Sequence, residues 1–242
     1  MNNEIKDFNG VYIVGWGGMK EITKYIPHSL VYGIEYKNGF ILIDCGNGFT
    51  GNEIIENVSK ISEKPITHIF LTHCHYDHSL NSLFFQEKGV KIVAHLNTGI
   101  SLREKTYRVW YEYPHFVKPV NIDFEIEKDG RIDFKGIEFY YFHTPGHTDG
   151  CVSYFIKLND KKFLFTGDLL MLYGEIGWAG SEDFDKEKLL NSLEKINNIE
   201  FDYMLGGHNW WKKEEGKENI EICVRKEKES KWKFEKGYHF LS

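Results

Sequence analysis

Hydrophobic and polar positions in the first part of the chain follow the periods of a small sheet with one covering helix. The predicted strands cover residues 11–14, 30–36, 40–44 and 66–72. The Asn38-Gly39 pair is typical of a two-residue hairpin turn between the second and third of these strands. Apolar residues at helical spacing predict a helix over residues 52–62, and Pro65 separates it from the fourth strand.

The same order of elements recurs in the second half of the chain. The predicted strands there cover residues 137–142, 151–156, 162–166 and 201–205. Asn159-Asp160 is a second hairpin turn, and a helix is predicted over residues 185–196. Two β-rich halves with covering helices predict an α/β (α+β) fold, a four-layer sandwich with an internal pseudo-duplication.

Two segments lie outside this repeat. Residues 97–118 lack a clean period and concentrate five aromatic residues, which are Tyr107, Trp110, Tyr111, Tyr113 and Phe116. We interpret this segment as an insertion that either packs as a helix on the core or forms a lid over a pocket. Residues 209–242 form a C-terminal extension whose alternating charges are typical of a solvent-facing helix. No linker divides the chain, so residues 1–242 are expected to form one domain.

Composition and charge exclude several classes of function. The net charge of −6 over 242 residues disfavours binding to nucleic acid through bulk electrostatics. No apolar run approaches the roughly 20 residues of a membrane span, and the N-terminus does not resemble a secretory signal. The four cysteines form no CxxC pair and are expected to be reduced thiols. We therefore expect a cytoplasmic protein with a small-molecule substrate and no nucleic-acid or membrane partner. The sequence does not determine the oligomeric state, for which a homodimer is one option.

The strongest chemical signal is a cluster of potential metal ligands after the strand over residues 66–72. His73, His75, Asp77 and His78 lie within six residues of one another. Because alternate side chains of an extended segment point to the same side, His73 and His75 can hold one metal ion. A turn directly after them can present Asp77 and His78 to a neighbouring ion. The spacing predicts that one loop serves two metal ions.

Three later residues complete the candidate metal centre. His147 lies in a Thr-Pro-Gly-His-Thr segment, Asp168 in Thr-Gly-Asp and His208 in Gly-Gly-His. Each of them follows a predicted apolar strand, as a site built at strand ends requires. The other histidines are expected to be ordinary core or surface residues, namely His28, His68, His95, His115, His143 and His239.

Together these residues resemble the metallo-β-lactamase superfamily. An HxHxDH motif and later PGHT, GD and GH segments occur in the order of that family over about residues 11–210. The resemblance implies an αβ/βα sandwich with a dinuclear site between its two sheets. It implies that His73, His75 and His147 hold a first metal, that Asp77, His78 and His208 hold a second, and that Asp168 bridges them. The implied cofactors are two divalent ions, with zinc expected and iron or manganese as alternatives.

The resemblance also suggests roles for residues around the metals. Asp77 is expected to be catalytic, since a carboxylate beside the metals can pass a proton to the leaving group. Asp44 matches an aspartate that the family places behind the site, where it hydrogen-bonds a ligand or holds the loop. The candidate substrate-binding residues are the aromatic side chains Tyr107, Trp110, Tyr111 and Trp178.

The ligand set resembles glyoxalase II-like metallohydrolases best. We predict a dinuclear metal-dependent hydrolase that attacks a small ester, thioester or lactone with a metal-bound hydroxide. Persulfide dioxygenases share the local string Thr-His-Cys-His-x-Asp-His, so a mononuclear iron oxidoreductase is the first alternative. A metal-binding sensor without turnover is the second alternative.

Overall fold

Two sheets form the centre of the computed structural model, which describes residues 5–134 and 136–229. The first sheet has seven strands in chain order. They are β1 (Lys6–Asp7), β2 (Val11–Gly15), β3 (Val31–Tyr36), β4 (Gly39–Ile43), β5 (Ile66–Phe70), β6 (Lys91–His95) and β7 (Phe124–Ile126). Strands β1 to β4 pair antiparallel, whereas β4 to β7 pair parallel. The carboxyl ends of β4 and β5 therefore open at the same edge of the sheet.

The second sheet has six strands in the order β13-β12-β11-β10-β9-β8. They are β8 (Gly130–Phe134), β9 (Ile137–His143), β10 (Val152–Leu158), β11 (Lys161–Gly167), β12 (Tyr203–Gly206) and β13 (Trp210–Lys212). Strands β11 and β12 pair parallel, and the other neighbours pair antiparallel. The carboxyl ends of β11 and β12 consequently lie side by side, as those of β4 and β5 do.

Helices cover the outer face of each sheet. They are α1 (Gly51–Ser59), α2 (Tyr76–Ser79), α3 (Ser82–Gln86), α4 (Leu96–Glu104), α5 (Thr106–Val109), α6 (Lys186–Asn197) and α7 (Lys213–Glu229). One buried cluster lies between the sheets, where the rings of Phe70 and Phe139 stack with their centroids 4.4 Å apart. A second cluster includes Ile54 of α1, and a third includes Leu193 of α6. Three clusters between four layers confirm the αβ/βα sandwich.

The internal duplication is confirmed by the strand pairing. A β3-β4 hairpin leads through α1 to β5, which is parallel to β4, and a β10-β11 hairpin leads through α6 to β12, which is parallel to β11. Asn159 and Asp160, with φ of 49° and 60°, form the second hairpin turn, as predicted. Asp185 caps α6 by accepting a hydrogen bond from the Lys188 backbone N–H at 3.0 Å.

The first hairpin turns one residue earlier than predicted. Tyr36 pairs with Gly39, so the two-residue loop is Lys37-Asn38. Gly39 belongs to β4, where a Cβ atom would lie 2.5 Å from Thr67 Cγ2. Glycine is therefore required here because the adjacent segment with Thr67 approaches closely. The conformation of the turn does not require it.

Residues 97–118 are mostly helical although their sequence has no clean period. They contain most of α4, all of α5 and a 3-10 turn over Pro114–Phe116. Val109 and Trp110 are buried, whereas the Tyr111 side chain is 53% exposed and that of Phe116 is 62% exposed. The insertion thus packs one part of its aromatic residues inward and leaves the others at the surface.

The C-terminal extension is not wholly helical, because it begins with β13 at the edge of the second sheet and continues into α7. The expectation for residues 230–242 and for His239 lies outside the described residues. Glu221 and Arg225 are exposed, as predicted for a solvent-facing helix. Ile220 and Cys223 are nevertheless buried in the cluster against the second sheet, so the helix is amphipathic. Within the described ranges, no helix has the length and apolar content that a membrane span requires.

Candidate metal centre

The seven predicted ligands meet where strands of both sheets end. His73 and His75 lie in the loop after β5, and this loop continues into α2 with Asp77 and His78. The other three ligands follow strands of the second sheet, with His147 after β9, Asp168 after β11 and His208 after β12. The Val152 backbone N–H donates to the carbonyl oxygen of Thr72 at 2.8 Å and joins the loop to the second sheet. The fold thereby brings residues from both halves to one edge.

Three histidines form the first ligand group. The Nδ1 atom of His75 lies 3.1 Å from His73 Nε2 and 2.9 Å from His147 Nε2. Burial, together with the neighbouring imidazoles, lowers the pKa of all three rings, and that of His147 falls to about 3. The three rings are therefore neutral at physiological pH, which is the state that binds a metal ion.

Two carboxylates and two histidines form the second group. His208 Nε2 lies 3.2 Å from Asp77 Oδ2 and 3.3 Å from Asp168 Oδ2, and His78 Nε2 lies 3.2 Å from Asp168 Oδ1. Asp168 Oδ2 is also 3.9 Å from His147 Nε2 of the first group. The Asp168 carboxylate therefore faces both groups.

The carboxylates of the second group control its pKa values. Burial alone would lower the pKa of His208, but the charges of Asp168 and Asp77 raise it to about 10. The same carboxylates raise the pKa of His78 against the effect of its burial. Burial would raise the pKa of Asp168, but the two positive rings hold it well below its usual range. Without a metal ion, protons on the two histidines balance the two carboxylates.

The second group fits a divalent cation. His78 Nε2 and Asp168 Oδ1 are buried and face each other without the geometry of a hydrogen bond. A Cβ atom on Gly207 would lie 2.1 Å from Asp168 Oδ1 and 2.5 Å from His78 Cε1, so only glycine leaves room for these ligands. The ligand atoms of each group lie within 4.8 Å of one another. Imidazole nitrogens with carboxylate oxygens are the donors that zinc and similar divalent ions prefer.

Asp44 supports the second group from behind. Its Oδ2 accepts the Nδ1–H of His78 at 2.7 Å, and its Oδ1 accepts the backbone N–H of Thr72 at 2.7 Å. The first contact fixes the ring so that Nε2 faces the other ligands. Asp44 is buried with φ of 60°, an unusual conformation that its hydrogen bonds hold in place. The structure therefore places Asp44 behind the second group, where its carboxylate contacts both His78 and Thr72.

A family model of the metallo-beta-lactamase superfamily matches residues 27–208, more than half of the chain. The chain belongs to this superfamily. A probable metallo-hydrolase of Methanocaldococcus jannaschii is 29% identical over 179 residues, which cover 69% of this chain and 82% of the relative. Glyoxylase B2 of Dictyostelium discoideum is 27% identical over 132 residues, which cover 53% of this chain and 44% of that protein.

Solved structures support the same fold. The metallo-beta-lactamase GOB-18 from Elizabethkingia meningoseptica superposes with a TM-score of 0.74 at 19% identity. The superposition covers 93% of this chain and 90% of that one. At this identity the likeness shows the shared fold alone. As a member of the metallo-beta-lactamase superfamily, the chain is related to metallo-hydrolases, and its two ligand groups occupy the edge described above.

A cavity of about 290 Å³ opens over the two ligand groups of this superfamily member. Trp178 and Tyr111 line it, and the Trp178 ring lies 5.6 Å from the ring of His75. A Cβ atom on Gly177 would lie 2.9 Å from His147 Nδ1, and one on Gly180 would lie 2.4 Å from the Trp178 ring. Gly177 therefore allows the chain to pack closely against the predicted metal ligand His147, and Gly180 allows it to pack against the indole of Trp178.

Two of the predicted substrate-binding residues do not line this cavity. Trp110 is buried and stacks on Tyr76 with ring centroids 4.7 Å apart. The Tyr107 hydroxyl donates to Glu182 Oε1 at 3.0 Å. Their sequence neighbour Tyr111 does line the cavity, because the chain leaves the helical conformation after Val109 and the side chains diverge.

Sequence reasoning missed other residues of the cavity wall. Arg108, Glu112 and Met171 line it together with the metal-facing side chains. Arg108 lies in α5, which has only four residues and is too short to display a helical period, and Glu112 and Met171 lie outside the helices and strands. The histidines expected to be ordinary, as far as the structure describes them, lie outside both ligand groups.

Proposed function

We propose that this metallo-beta-lactamase superfamily member is a dinuclear metal-dependent hydrolase that cleaves a small ester, thioester or lactone. The observation that carries the proposal is the position of Asp168, whose Oδ2 lies 3.3 Å from His208 Nε2 and 3.9 Å from His147 Nε2. One carboxylate thus connects two ligand groups below a cavity of small-molecule size.

The residues of the site divide into two ligand sets in this proposal. His73, His75 and His147 would hold one cation, Asp77, His78 and His208 would hold the other, and Asp168 would bridge them. Zinc is the proposed metal because nitrogen-rich sets suit a cation of intermediate softness. When bound, two such cations polarise the scissile carbonyl and lower the pKa of water.

We assign proton transfer to Asp77. Its side chain lines the cavity, and its Oδ2 lies 3.2 Å from His208 Nε2. Burial would raise the pKa of Asp77, but the positive charges of His78 and His208 hold it below its usual value. The carboxylate is therefore ionised and can accept a proton from the nucleophile and deliver it to the leaving group.

We further propose a cytoplasmic location and a small-molecule substrate, without a nucleic-acid or membrane partner. The dimensions of the cavity support the small-molecule substrate, and the net charge of −6 disfavours nucleic acid. The four free cysteines support the cytoplasmic location, because disulfides are rare in that compartment.

The test compares the metal-loaded wild type with His75→Ala and Asp168→Ala. Both variants should lose metal and hydrolysis of model thioesters and lactones together, because each removes a donor from a ligand group. Circular dichroism should show that they remain folded. His115→Ala changes an exposed histidine in the 3-10 turn and should keep both metal and activity. Hydrolysis that persists in a metal-free variant would overturn the proposal.

A further inference from the structure

One guanidinium and three carboxylates lie together at the wall that α5 contributes to the cavity. Among the described residues that line the cavity, Arg108 is the single lysine or arginine. Its Nε donates to Glu182 Oε1 at 2.6 Å, and its Nη1 lies 3.3 Å from Asp149 Oδ2 and 3.9 Å from Asp183 Oδ2. These carboxylates outnumber the positive charge, so Arg108 has no surplus charge to attract an anionic substrate.

Glu112 adds another carboxylate to the lining of the cavity. Lys105 is a second cation at this wall, and its charge acts on Glu182. This wall thus contains two cations, Arg108 and Lys105, and four carboxylates, those of Asp149, Glu182, Asp183 and Glu112, with a formal charge of −2 when all groups are ionised. Next to this wall, on the side away from the ligand groups and their cations, positive charge is therefore favoured and negative charge is disfavoured.

Aromatic rings supply the rest of the contact surface. Trp178 and Tyr111 line the cavity and are each about half exposed. The faces of such rings attract ammonium groups, and a nearby carboxylate strengthens this preference. The ring centroids of Trp178 and His75 lie 5.6 Å apart, so a substrate whose carbonyl reaches the ligand groups has the Trp178 ring within reach of its tail.

We propose that the cavity selects substrates with a positively charged tail beyond the scissile group, accepts neutral tails less well and rejects carboxylate tails. This inference rests on the proposed hydrolase function, because it names the substrate class of the same site. The ligand groups lie at the floor of the cavity and the acidic wall lies to one side, so the two ends of a substrate meet different charges.

The test uses three phenyl thioesters of matched chain length, with hexanoyl, 5-carboxypentanoyl and 5-(trimethylammonio)pentanoyl groups. The value of kcat/KM for the zinc-loaded protein should be at least about tenfold higher for the ammonium thioester than for the carboxylate thioester. The hexanoyl thioester should fall between them. The ratio should shrink as ionic strength rises, because salt screens the charge of the exposed Glu112.

Variants separate the charge of the wall from the total charge of the protein. Glu112→Gln should lower the ratio of kcat/KM for ammonium over carboxylate by about fivefold, since it removes one charge from the wall. Glu104→Gln makes the same change at the exposed end of α4 and should leave the ratio at its wild-type value. An unchanged ratio in Glu112→Gln would overturn the assignment of selectivity to this wall.

Binding is measured independently of turnover with the three ketones in which a methylene group replaces the thioester sulfur. Isothermal titration calorimetry should give the ammonium ketone the lowest Kd and the carboxylate ketone the highest. This order without hydrolysis of any thioester would support the charge selection and contradict the thioester form of the proposed hydrolase function. The charge selection would be overturned if the carboxylate thioester were hydrolysed as fast as the ammonium thioester or faster. It would also be overturned if the carboxylate ketone bound as tightly as the ammonium ketone or more tightly.

Discussion

Replacing Asp44 by asparagine should weaken the second ligand group without unfolding the protein. Asp44 uses one carboxylate oxygen for His78 and the other for the backbone N–H of Thr72, each at 2.7 Å. Asparagine offers one acceptor and one donor at these two positions, so one of the two hydrogen bonds is lost in either orientation. The φ of 60° at this position is tolerated by asparagine, so the backbone is retained.

Both orientations of the new amide carry a cost. If its nitrogen faces His78, the ring must offer the Nδ1 lone pair and carry its proton on Nε2, which then cannot bind a metal ion. If its nitrogen faces Thr72, two buried N–H groups oppose each other at a cost of about 1–3 kcal/mol. Loss of a contact that orients a ligand lowers metal affinity by about 10- to 100-fold, or about 1.4–2.8 kcal/mol.

Competition with a coloured chelator measures this affinity for each of the two metal ions. Asp160→Asn is the matched control, because Asp160 also has φ of 60° but lies exposed in the turn between β10 and β11. The control should keep both affinities, whereas Asp44→Asn should weaken one of them. Unchanged affinity for both ions in Asp44→Asn would refute the reasoning that Asp44 orients His78.

Three further perturbations test other parts of the site and the core. Gly207→Ala should weaken metal binding more than about tenfold in chelator titrations, because its Cβ would lie 2.1 Å from Asp168 Oδ1, whereas Gly17→Ala meets no atom within 4 Å and should not. The metal-free protein should lose stability as the pH falls from 7 to 5, because the unfolded chain takes up a proton on His147 that the folded chain, with a pKa of about 3, does not. About 2 kcal/mol of this loss should disappear in His147→Gln, which urea denaturation at the two pH values would measure. An equal loss of stability in the wild type and the variant would contradict the pKa assignment. Trp110→Ala should destabilise the metal-loaded protein by about 3–5 kcal/mol in urea, because the ring is buried, and a loss below about 1 kcal/mol would contradict its place in the core.

The candidate metal centre is readable from the sequence because its ligands follow apolar strands. The parallel strands β4 and β5, and likewise β11 and β12, end at one edge, so polar residues directly after them must meet there. Asp168 follows β11 and His208 lies just beyond β12, as the predicted strand ends require. The order of hairpin, helix and strand occurs twice in the sequence. This repeat predicts the two halves of the sandwich without any knowledge of the contacts between them.

The cavity wall is not readable in the same way, because it depends on contacts between distant segments. Arg108 meets Asp149 and Glu182, which lie 41 and 74 residues away in the sequence. Trp110 and Tyr111 are neighbours in an aromatic segment, yet the first packs inward and the second lines the cavity. Both residues lie beyond the end of the four-residue α5, so no helical period predicts the directions of their side chains.

Elemental analysis of protein purified without added metal tests the central claim most directly. Two ligand groups that share Asp168 predict about two divalent ions per chain, with zinc as the main metal. Asp168→Ala should reduce this content, because both groups face that carboxylate. A protein that contains a single iron ion per chain, and that consumes oxygen when a persulfide is added, would contradict the dinuclear hydrolase. Such a result would identify the site as that of an oxidoreductase.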